Sequence, residues 1–290
     1  MRSTLIKLHF AVFLWGFTGV LGRLITLNAP LLVWYRILIT VITLFVMLWY
    51  TGKLEKLPAR KVWQLFGAGA IVALHWVFFY GSIKFANVSI ALVCLSSAGL
   101  FTAVIEPIFT KKKFNIKEFL LGFVGIAGIY LIFHFDPHYK LGIIIGILAT
   151  IFSVVFSIVN KKVVATIAPK TMMLYELSGG FLAITVLLPF YLYALPTNHL
   201  TPSLFDWFWL VLMSWFCTLW AMDLSLQALQ KVSAFTQNLT LNLEPVYGII
   251  LAFAVYHENN ELGAGFYWGF LLIILSVVLQ MMRVMRYKKV

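Results

Sequence analysis

The residues best suited to chemistry in this chain are polar side chains set inside long apolar segments. The clearest case is the stretch LTLNLEPVYG, Leu239–Gly248, in which Glu244 directly precedes Pro245. A proline removes one helical backbone hydrogen bond, and a carboxyl group inside a membrane needs a partner or a water-filled cavity. The segment therefore predicts a polar kink facing a central cavity, where Glu244 contacts a substrate or a proton. A structural hydrogen bond between helices is the alternative. Three amide side chains extend the same polar segment: Gln237, Asn238 and Asn242.

Four further ionisable residues lie inside apolar segments. An ionisable side chain at such a position costs at least about 2.5–3.5 kcal/mol on insertion scales, so each one requires an explanation. At about 1.5 Å per helical residue, Glu244 and His75 fall near the predicted midplane, and Arg36 lies about 6 Å towards the outside. Glu176 and Asp223 fall about 7–10 Å towards the cytoplasm. All five are candidates for substrate binding or coupling.

Arg36 is charged at any relevant pH, so it either pairs with a carboxylate or binds an anionic group of the substrate. Glu244 is closest in depth and is the preferred partner. His75 makes either a structural bond or a contact that serves transport.

Neighbouring residues place the other candidates on helix faces. His75 shares a predicted face with Phe79 and Ser82, and Asp223 begins a polar stripe that continues through Gln227 and Gln230. Such a stripe is typical of a helix that faces a cavity. Glu176 stands just before two consecutive glycines. Two deep tryptophans, Trp15 and Trp76, could stack on a planar ligand, with core packing as the alternative.

The composition predicts which elements hold these residues. The chain has 290 residues, of which 62% are hydrophobic and 11% are charged, with a mean hydropathy of +0.96. A soluble domain is about one quarter charged, so most of this chain is unsuited to water. The composition therefore predicts a polytopic all-α membrane protein.

Polar and proline-bearing breaks divide the chain into ten candidate spans of roughly 20 residues each. The connections between them are short, so we expect one membrane domain. The spans are predicted near residues 4–26, 30–50, 62–84, 88–110, 117–134, 141–160, 170–194, 205–230, 234–257 and 264–284.

The net charge of +12 reflects an excess of lysine and arginine that follows the topology. With the N-terminus inside, most of the 22 basic residues fall on the cytoplasmic side, and the outer side receives Arg23, Lys84 and Lys140. This bias predicts that both termini are cytoplasmic, in a bacterial inner membrane protein. It also explains the charge without a nucleic-acid partner.

The two halves of the chain repeat one another. Gly122 in FLLGFVGIAGIYLI aligns with Gly269 in FYWGFLLIILSVVL, and Pro30 aligns with Pro169. The repeats are predicted at residues 1–136 and 137–290. Because each contains an odd number of spans, the second must cross the membrane in the opposite sense. Inverted repeats of this kind are typical of secondary transporters with a midplane site.

Several motifs resemble the EamA-type group of the drug/metabolite transporter superfamily. They are FLWGFTGVLGRL (Phe13–Leu24), WYRILIT (Trp34–Thr40), YGSIKFANVSIALV (Tyr80–Val93) and LEPVYGIILAFAVYHE (Leu243–Glu258). The resemblance implies a ten-span inverted repeat with a central cavity that moves small metabolites, amino acids or drugs. The first repeat departs from the pattern, because Gly99 and Lys111–Lys113 stand where a proline and an acid are common.

Together these features predict a secondary transporter that moves a small metabolite, amino acid or drug-like compound by alternating access, with proton coupling or exchange as options. A passive facilitator differs only in lacking ion coupling. The alternative class is a non-transporting membrane protein, either a lipid-modifying enzyme or an assembly factor. We expect no catalytic residues, no cofactor and no metal site. The expected partners are a small-molecule substrate and membrane lipids, for a monomer or a homodimer.

Overall fold

The computed structural model describes residues 2–110, 116–135, 137–161, 167–229, 240–241 and 243–287. Helices dominate these segments. They are α1 (Arg2–Leu24), α2 (Ala29–Tyr50), α3 (Ala59–Phe85), α4 (Val88–Ser96), α5 (Ala98–Thr110), α6 (Ile116–Phe135), α7 (Lys140–Lys161), α8 (Pro169–Ala194), α9 (Leu204–Leu212), a π-helix (Met213–Trp220), α10 (Ala221–Leu229), α11 (Glu244–Tyr256) and α12 (Ala264–Tyr287).

Six helical segments in the described part are long and apolar enough to cross a membrane. They are α1, α2, α3, α7, α8 and the run from α9 to α10. The pair α4 and α5 adds a seventh if it counts as one span, and α6, α11 and α12 contain shorter apolar stretches. The chain is therefore a multi-pass membrane protein, and the prediction of ten spans stays a prediction.

The predicted span at 88–110 is broken into two helices that meet at an angle of 42°. Asn87 begins the first helix, because its side-chain oxygen accepts from the backbone N–H of Ile90 at 2.9 Å. The break falls at Ser97, beside Ser96 and Gly99. Serine and glycine neighbours are a common cause of such bends, since they offer alternative hydrogen bonds and little steric resistance.

The predicted span at 205–230 contains an unexpected π-helix. Ser203 and Asp206 form a capping box that begins α9. The helix then widens from Met213 to Trp220 before α10 resumes. Single π-turns inside α-helices frequently occur at functional sites, because they turn side chains out of the ordinary helical register.

The predicted polar kink at Pro245 lies at the start of a helix. Glu244 is the first residue of α11, and Pro245 follows in its first turn. Proline is tolerated at this point because the first backbone N–H groups of a helix have no intrahelical acceptor. The first turn also favours an acid through the helix dipole. The predicted polar kink stays a prediction, because residues 230–239 and Asn242, which precede this helix, lie outside the described residues.

Close packing of glycines joins α3 to α8. A Cβ atom added at Gly180 would lie 2.7 Å from the carbonyl oxygen of Gly69, and one at Gly179 would meet the backbone of Phe66. Only glycine permits this approach. On its other side α3 packs along α7, while α1 packs against α10 and α11. Helices α1 and α3 therefore contact helices from the second half of the chain.

Candidate functional site

Arg36 on α2 is the most deeply buried cation among the described residues, and only 2% of its surface is exposed. Its Nε donates a hydrogen bond to the Thr218 hydroxyl at 2.7 Å, and its Nη1 donates to the Tyr80 hydroxyl. Both acceptors are neutral oxygens. The charge is therefore solvated by dipoles and has no counter-ion among these direct contacts.

Aromatic rings complete the surroundings of this charge. The central guanidinium carbon of Arg36 lies 4.3 Å from the centroid of the Trp76 ring and 5.8 Å from that of Tyr80. A cation over an aromatic face is stabilised by the ring quadrupole. Trp76 thus contacts a charged group of the protein, a role that the sequence did not indicate. We refer to Arg36, Trp76, Tyr80 and Thr218 as the Arg36 cluster.

The π-helix positions the second half of the chain against Arg36. Ser214 donates from its hydroxyl to the Arg36 carbonyl oxygen at 3.1 Å, and Thr218, four residues later, accepts from the side chain. Gly22 on α1 makes room for the phenol, because a Cβ there would overlap the Tyr80 ring. The cluster therefore depends on four separate elements.

Glu244 does not form the predicted ion pair with Arg36. No carboxylate in the described part of the chain lies within 4.0 Å of the guanidinium. Glu244 is half-buried at the start of α11, which packs on α1 where Gly16 approaches Tyr247 and Gly248. The guanidinium is nevertheless near enough to influence the Glu244 carboxyl electrostatically. The guanidinium instead uses its Nε and Nη1 donors on Thr218 and Tyr80.

His75 belongs to a seam between α3 and α7. Its Nδ1 lies 2.8 Å from the Ala149 carbonyl oxygen, which requires the tautomer protonated on Nδ1. Ser82 lies on the same face and donates to the Gly142 carbonyl oxygen at 2.7 Å. The predicted face is present, and both polar residues on it bond to backbone. His75 is next to Trp76 in sequence, but no hydrogen bond joins it to the Arg36 cluster.

Two residues of the predicted stripe, Asp223 and Gln227 on α10, belong to a separate network at the N-terminal end of α1, and the third, Gln230, lies outside the described residues. Asp223 lies 3.6 Å from the Lys170 ammonium and accepts from Gln227 at 3.0 Å. Gln227 in turn accepts from Lys7 at 3.4 Å. We refer to Lys7, Lys170, Asp223 and Gln227 as the Lys7 network. It joins α1, α8 and α10 through long, partly exposed side chains.

Glu176 is fully buried in α8, at the glycine contact with α3. Its residue is 0% exposed, and neither carboxyl oxygen has a hydrogen-bond partner. It is therefore separate from the Arg36 cluster and from the Lys7 network. Trp15 is half-buried and packs against the hydrophobic core, which was the alternative to stacking on a planar ligand. Gln237, Asn238 and Asn242 lie outside the described residues.

The sequence reasoning missed a polar site at the C-terminal end of α1. Glu258 is 0% exposed and accepts from the backbone N–H groups of Val88 and Ser89 at 3.0 and 2.8 Å, and from the Ser89 hydroxyl at 2.6 Å. Arg23 donates to the same carboxylate, and its guanidinium carbon lies 4.4 Å from the centroid of the Tyr256 ring. We refer to Arg23, Glu258 and the first turn of α4 as the Arg23 clamp.

Neighbouring contacts strengthen this end of the bundle. Asp206 accepts from the backbone N–H and the hydroxyl of Thr26, each at 2.7 Å. Lys84 donates to the carbonyl oxygen of Ile25. A signal for the clamp was present in the sequence, because the EamA-like motif ends at Glu258. Its partner Val88 lies 170 residues away, however, and only folding brings the two together.

Neither of two cavities in the structure lies at the Arg36 cluster. One is an apolar crevice beside Ile90, Cys94 and Ile129 that is too narrow to hold a water molecule. The other is an open groove of about 520 Å³ along Ile42, Val46 and Tyr50 on α2. Within the described ranges, no group of three or more His, Cys, Asp or Glu residues is arranged to hold a metal ion.

Comparison with known proteins gives a family and a fold. The model of the EamA-like transporter family matches residues 2–134 and again residues 140–282. No curated protein matches the chain. A solved crystal structure, titled only as that of a protein, superposes with a TM-score of 0.63 at 13% identity, over 95% of this chain and 96% of its own. That likeness shows a shared fold alone.

Proposed function

Because the chain belongs to the EamA-like transporter family, we propose that this membrane transporter is a secondary transporter that moves a small metabolite across the bacterial inner membrane. In this proposal the two matched halves are inverted repeats, both termini are cytoplasmic, and the substrate site lies between the halves. The site then opens alternately to the two sides of the membrane.

The observation that supports this proposal best is that the Arg36 cluster joins the two halves. Arg36, Trp76 and Tyr80 belong to the first matched region, whereas Thr218 belongs to the second. A buried guanidinium surrounded by neutral partners retains the ability to bind an anionic group, because its fork of N–H donors matches a carboxylate. We infer that Arg36 binds a carboxylate of the substrate.

The other members of the cluster supply selectivity. The Trp76 ring covers one face of the guanidinium, which limits the directions from which a carboxylate can approach. Glu244 lies within electrostatic range of Arg36. In the proposed site its carboxyl contacts the opposite, polar or cationic, part of the solute. An amino acid carries both a carboxylate and a cationic ammonium group, so it fits this arrangement.

The two ends of α1 are suited to act as closures. The Arg23 clamp holds one end of α1 to α4 and to Glu258, and the Lys7 network holds the other end to α8 and α10. With both ends joined, the Arg36 cluster is enclosed. Alternating access requires each set of contacts to break in turn while the other stays closed.

Ligand-induced thermal stabilisation of the purified protein across a library of amino acids, carboxylic acids and amines tests the proposal. We expect carboxylate-bearing compounds to raise the melting temperature of the wild type and of Lys53→Met, an exposed lysine used as the control. Arg36→Met and Glu244→Gln should lose this response. Equal stabilisation of Arg36→Met and the wild type would remove Arg36 from the site.

Transport of a compound found in this way is then measured in proteoliposomes. Uptake that saturates with concentration and is faster with an exchangeable compound inside supports alternating access. Binding without any flux would favour the non-transporting alternative.

A further inference from the structure

The buried carboxyl of Glu176 takes no part in the proposed substrate site. It lies about 10 Å along α8 from the start of that helix at Pro169. The residue is 0% exposed and both of its carboxyl oxygens are without a hydrogen-bond partner. Buried polar groups in proteins are almost always hydrogen-bonded, so such a group calls for a specific explanation.

No charged group among the described residues neutralises this carboxyl. The elements packed against α8 are α2, α3 and α10. Arg36 on α2 bonds to Tyr80 and Thr218, His75 on α3 to the Ala149 carbonyl, and Asp223 on α10 to Lys170. The remaining cations of α3 are confined to its first and last turns: Arg60, Lys61 and Lys84. No ion pair to Glu176 occurs within the described ranges.

An isolated carboxylate is very unfavourable in such surroundings, and a group in this situation becomes neutral instead. Glu176 also lies where α3 and α8 approach most closely. A Cβ at Gly69 would collide with the Glu176 backbone carbonyl, and Gly180 contacts the backbone of Gly69. The carboxyl is therefore buried at a close contact between helices from the two halves of the chain.

We propose that Glu176 is a proton-binding site that couples proton movement to the transport cycle. As α3 and α8 close, a carboxylate oxygen of Glu176 forms an O–H bond with a proton released by a hydronium ion of the solvent, which becomes water, and the closed state keeps the neutral acid. When the helices separate and water reaches the group, that bond breaks and the proton returns to solvent. The coupling, though not the proton binding, rests on the proposed transport function.

Infrared spectroscopy of the protein in lipid nanodiscs tests the proton binding without any substrate. We expect a carboxylic-acid C=O band at neutral pH that disappears in Glu176→Gln and persists in Glu261→Gln, whose side chain is exposed. If Glu176→Gln does not fold, Glu176→Asp replaces it, because the shorter acid moves the band without removing it. A wild-type spectrum with no band that depends on Glu176 would overturn the proposal.

The pH dependence of unfolding gives a second measure. A proton bound only in the folded state lowers the folding equilibrium constant tenfold for each unit of rise in pH. We expect this slope above about pH 5 in the wild type and in Glu261→Gln, and its loss in Glu176→Gln. An unchanged slope in Glu176→Gln would assign the proton to another group and overturn the proposal.

The coupling is tested with a compound that proteoliposomes are shown to transport. A pH gradient should accelerate wild-type transport and leave Glu176→Gln transport unchanged, while exchange between labelled and unlabelled compound continues in the variant. If the gradient acts equally on both proteins, Glu176 is a structural neutral acid and the coupling is refuted. If nothing is transported, the proposed function fails, whereas the infrared and unfolding results still decide proton binding.

Discussion

The Arg23 clamp and the Arg36 cluster each hold an arginine in contact with an aromatic ring, yet their partners differ in kind. Arg23 contacts a carboxylate that is saturated with backbone and hydroxyl donors. Arg36 contacts a phenol, a hydroxyl and an indole ring, all of them neutral. A saturated ion pair holds helices together and has little capacity for a ligand. A cation with neutral partners keeps its attraction for an anion.

The largest loss of stability is expected from removing the Glu258 carboxylate of the Arg23 clamp. We expect Glu258→Ala to destabilise the protein by about 3–5 kcal/mol, because it leaves Arg23 without its partner and the first turn of α4 without its acceptor. The free energy of unfolding in detergent measures this effect. Glu261→Ala, an exposed acid three residues along, is the control and should differ little from the wild type. Equal values for the two variants would show that the clamp contributes nothing to stability.

Replacing each arginine by methionine sharpens the comparison directly. We expect Arg36→Met to weaken binding of a carboxylate substrate about 10- to 100-fold, since a hydrogen bond to a charged group is worth about 1.5–3 kcal/mol. Its effect on unfolding should be smaller than its effect on binding, because the substitution removes a buried charge that is costly to desolvate together with the hydrogen bonds to Thr218 and Tyr80. Arg23→Met should instead lower the free energy of unfolding and leave the intrinsic affinity for the carboxylate substrate unchanged. Titration and unfolding of both proteins distinguish these patterns, and similar profiles would contradict the distinction between the two regions.

A smaller effect is expected from the neutral partner that the π-helix supplies. Thr218→Val keeps the side-chain shape but removes the acceptor of the Arg36 Nε, which should cost about 1–3 kcal/mol in a buried site. Thr102→Val is a matched control, because the Thr102 hydroxyl donates to the Ala98 carbonyl oxygen within its own helix. Thermal unfolding compares the two variants. A Thr218→Val protein as stable as the control would mean that Arg36 finds another acceptor.

The smallest effect is expected at the Lys7 network. Lys170→Met removes a contact of 3.6 Å from a side chain that is 39% exposed. Exposed ion pairs of this kind contribute about 0.2–1 kcal/mol and are screened by salt. We therefore expect a slight loss of stability that vanishes at high ionic strength. A loss as large as that of Glu258→Ala would show that both ends of α1 are held equally firmly.

The sequence located the helical segments well but not their irregularities. The bounds of the predicted span at 30–50 lie within one residue of those of α2, because the length of an apolar segment can be counted in the sequence. The break at Ser97 and the π-helix at Met213–Trp220 were not predicted. Each depends on hydrogen bonds that compete with the regular helix, and hydropathy carries no information about them.

For the candidate site, the sequence identified residues more successfully than contacts. It singled out Arg36 and Trp76, which contact each other, but it paired Arg36 with Glu244. Depth along a helix is readable from residue number, whereas the direction of a side chain around the bundle axis is not. Thr218 escaped notice because a hydroxyl inside a span is inexpensive and common. Its importance comes from the π-helix that turns it towards Arg36.

By itself, the sequence determined that this chain spans a membrane many times, because 11% charged residues cannot cover a soluble protein of this size. It also carried the duplicated EamA-like pattern. It identified the ionisable residues whose burial in a membrane costs free energy. Only the tertiary structure decided which of these residues have charged or hydrogen-bonding partners. Glu258 meets the first turn of α4, Arg36 meets neutral groups, and Glu176 meets none, since these neighbours are far apart in the chain. Function at a buried charge depends on what surrounds it, and folding alone brings those surroundings together.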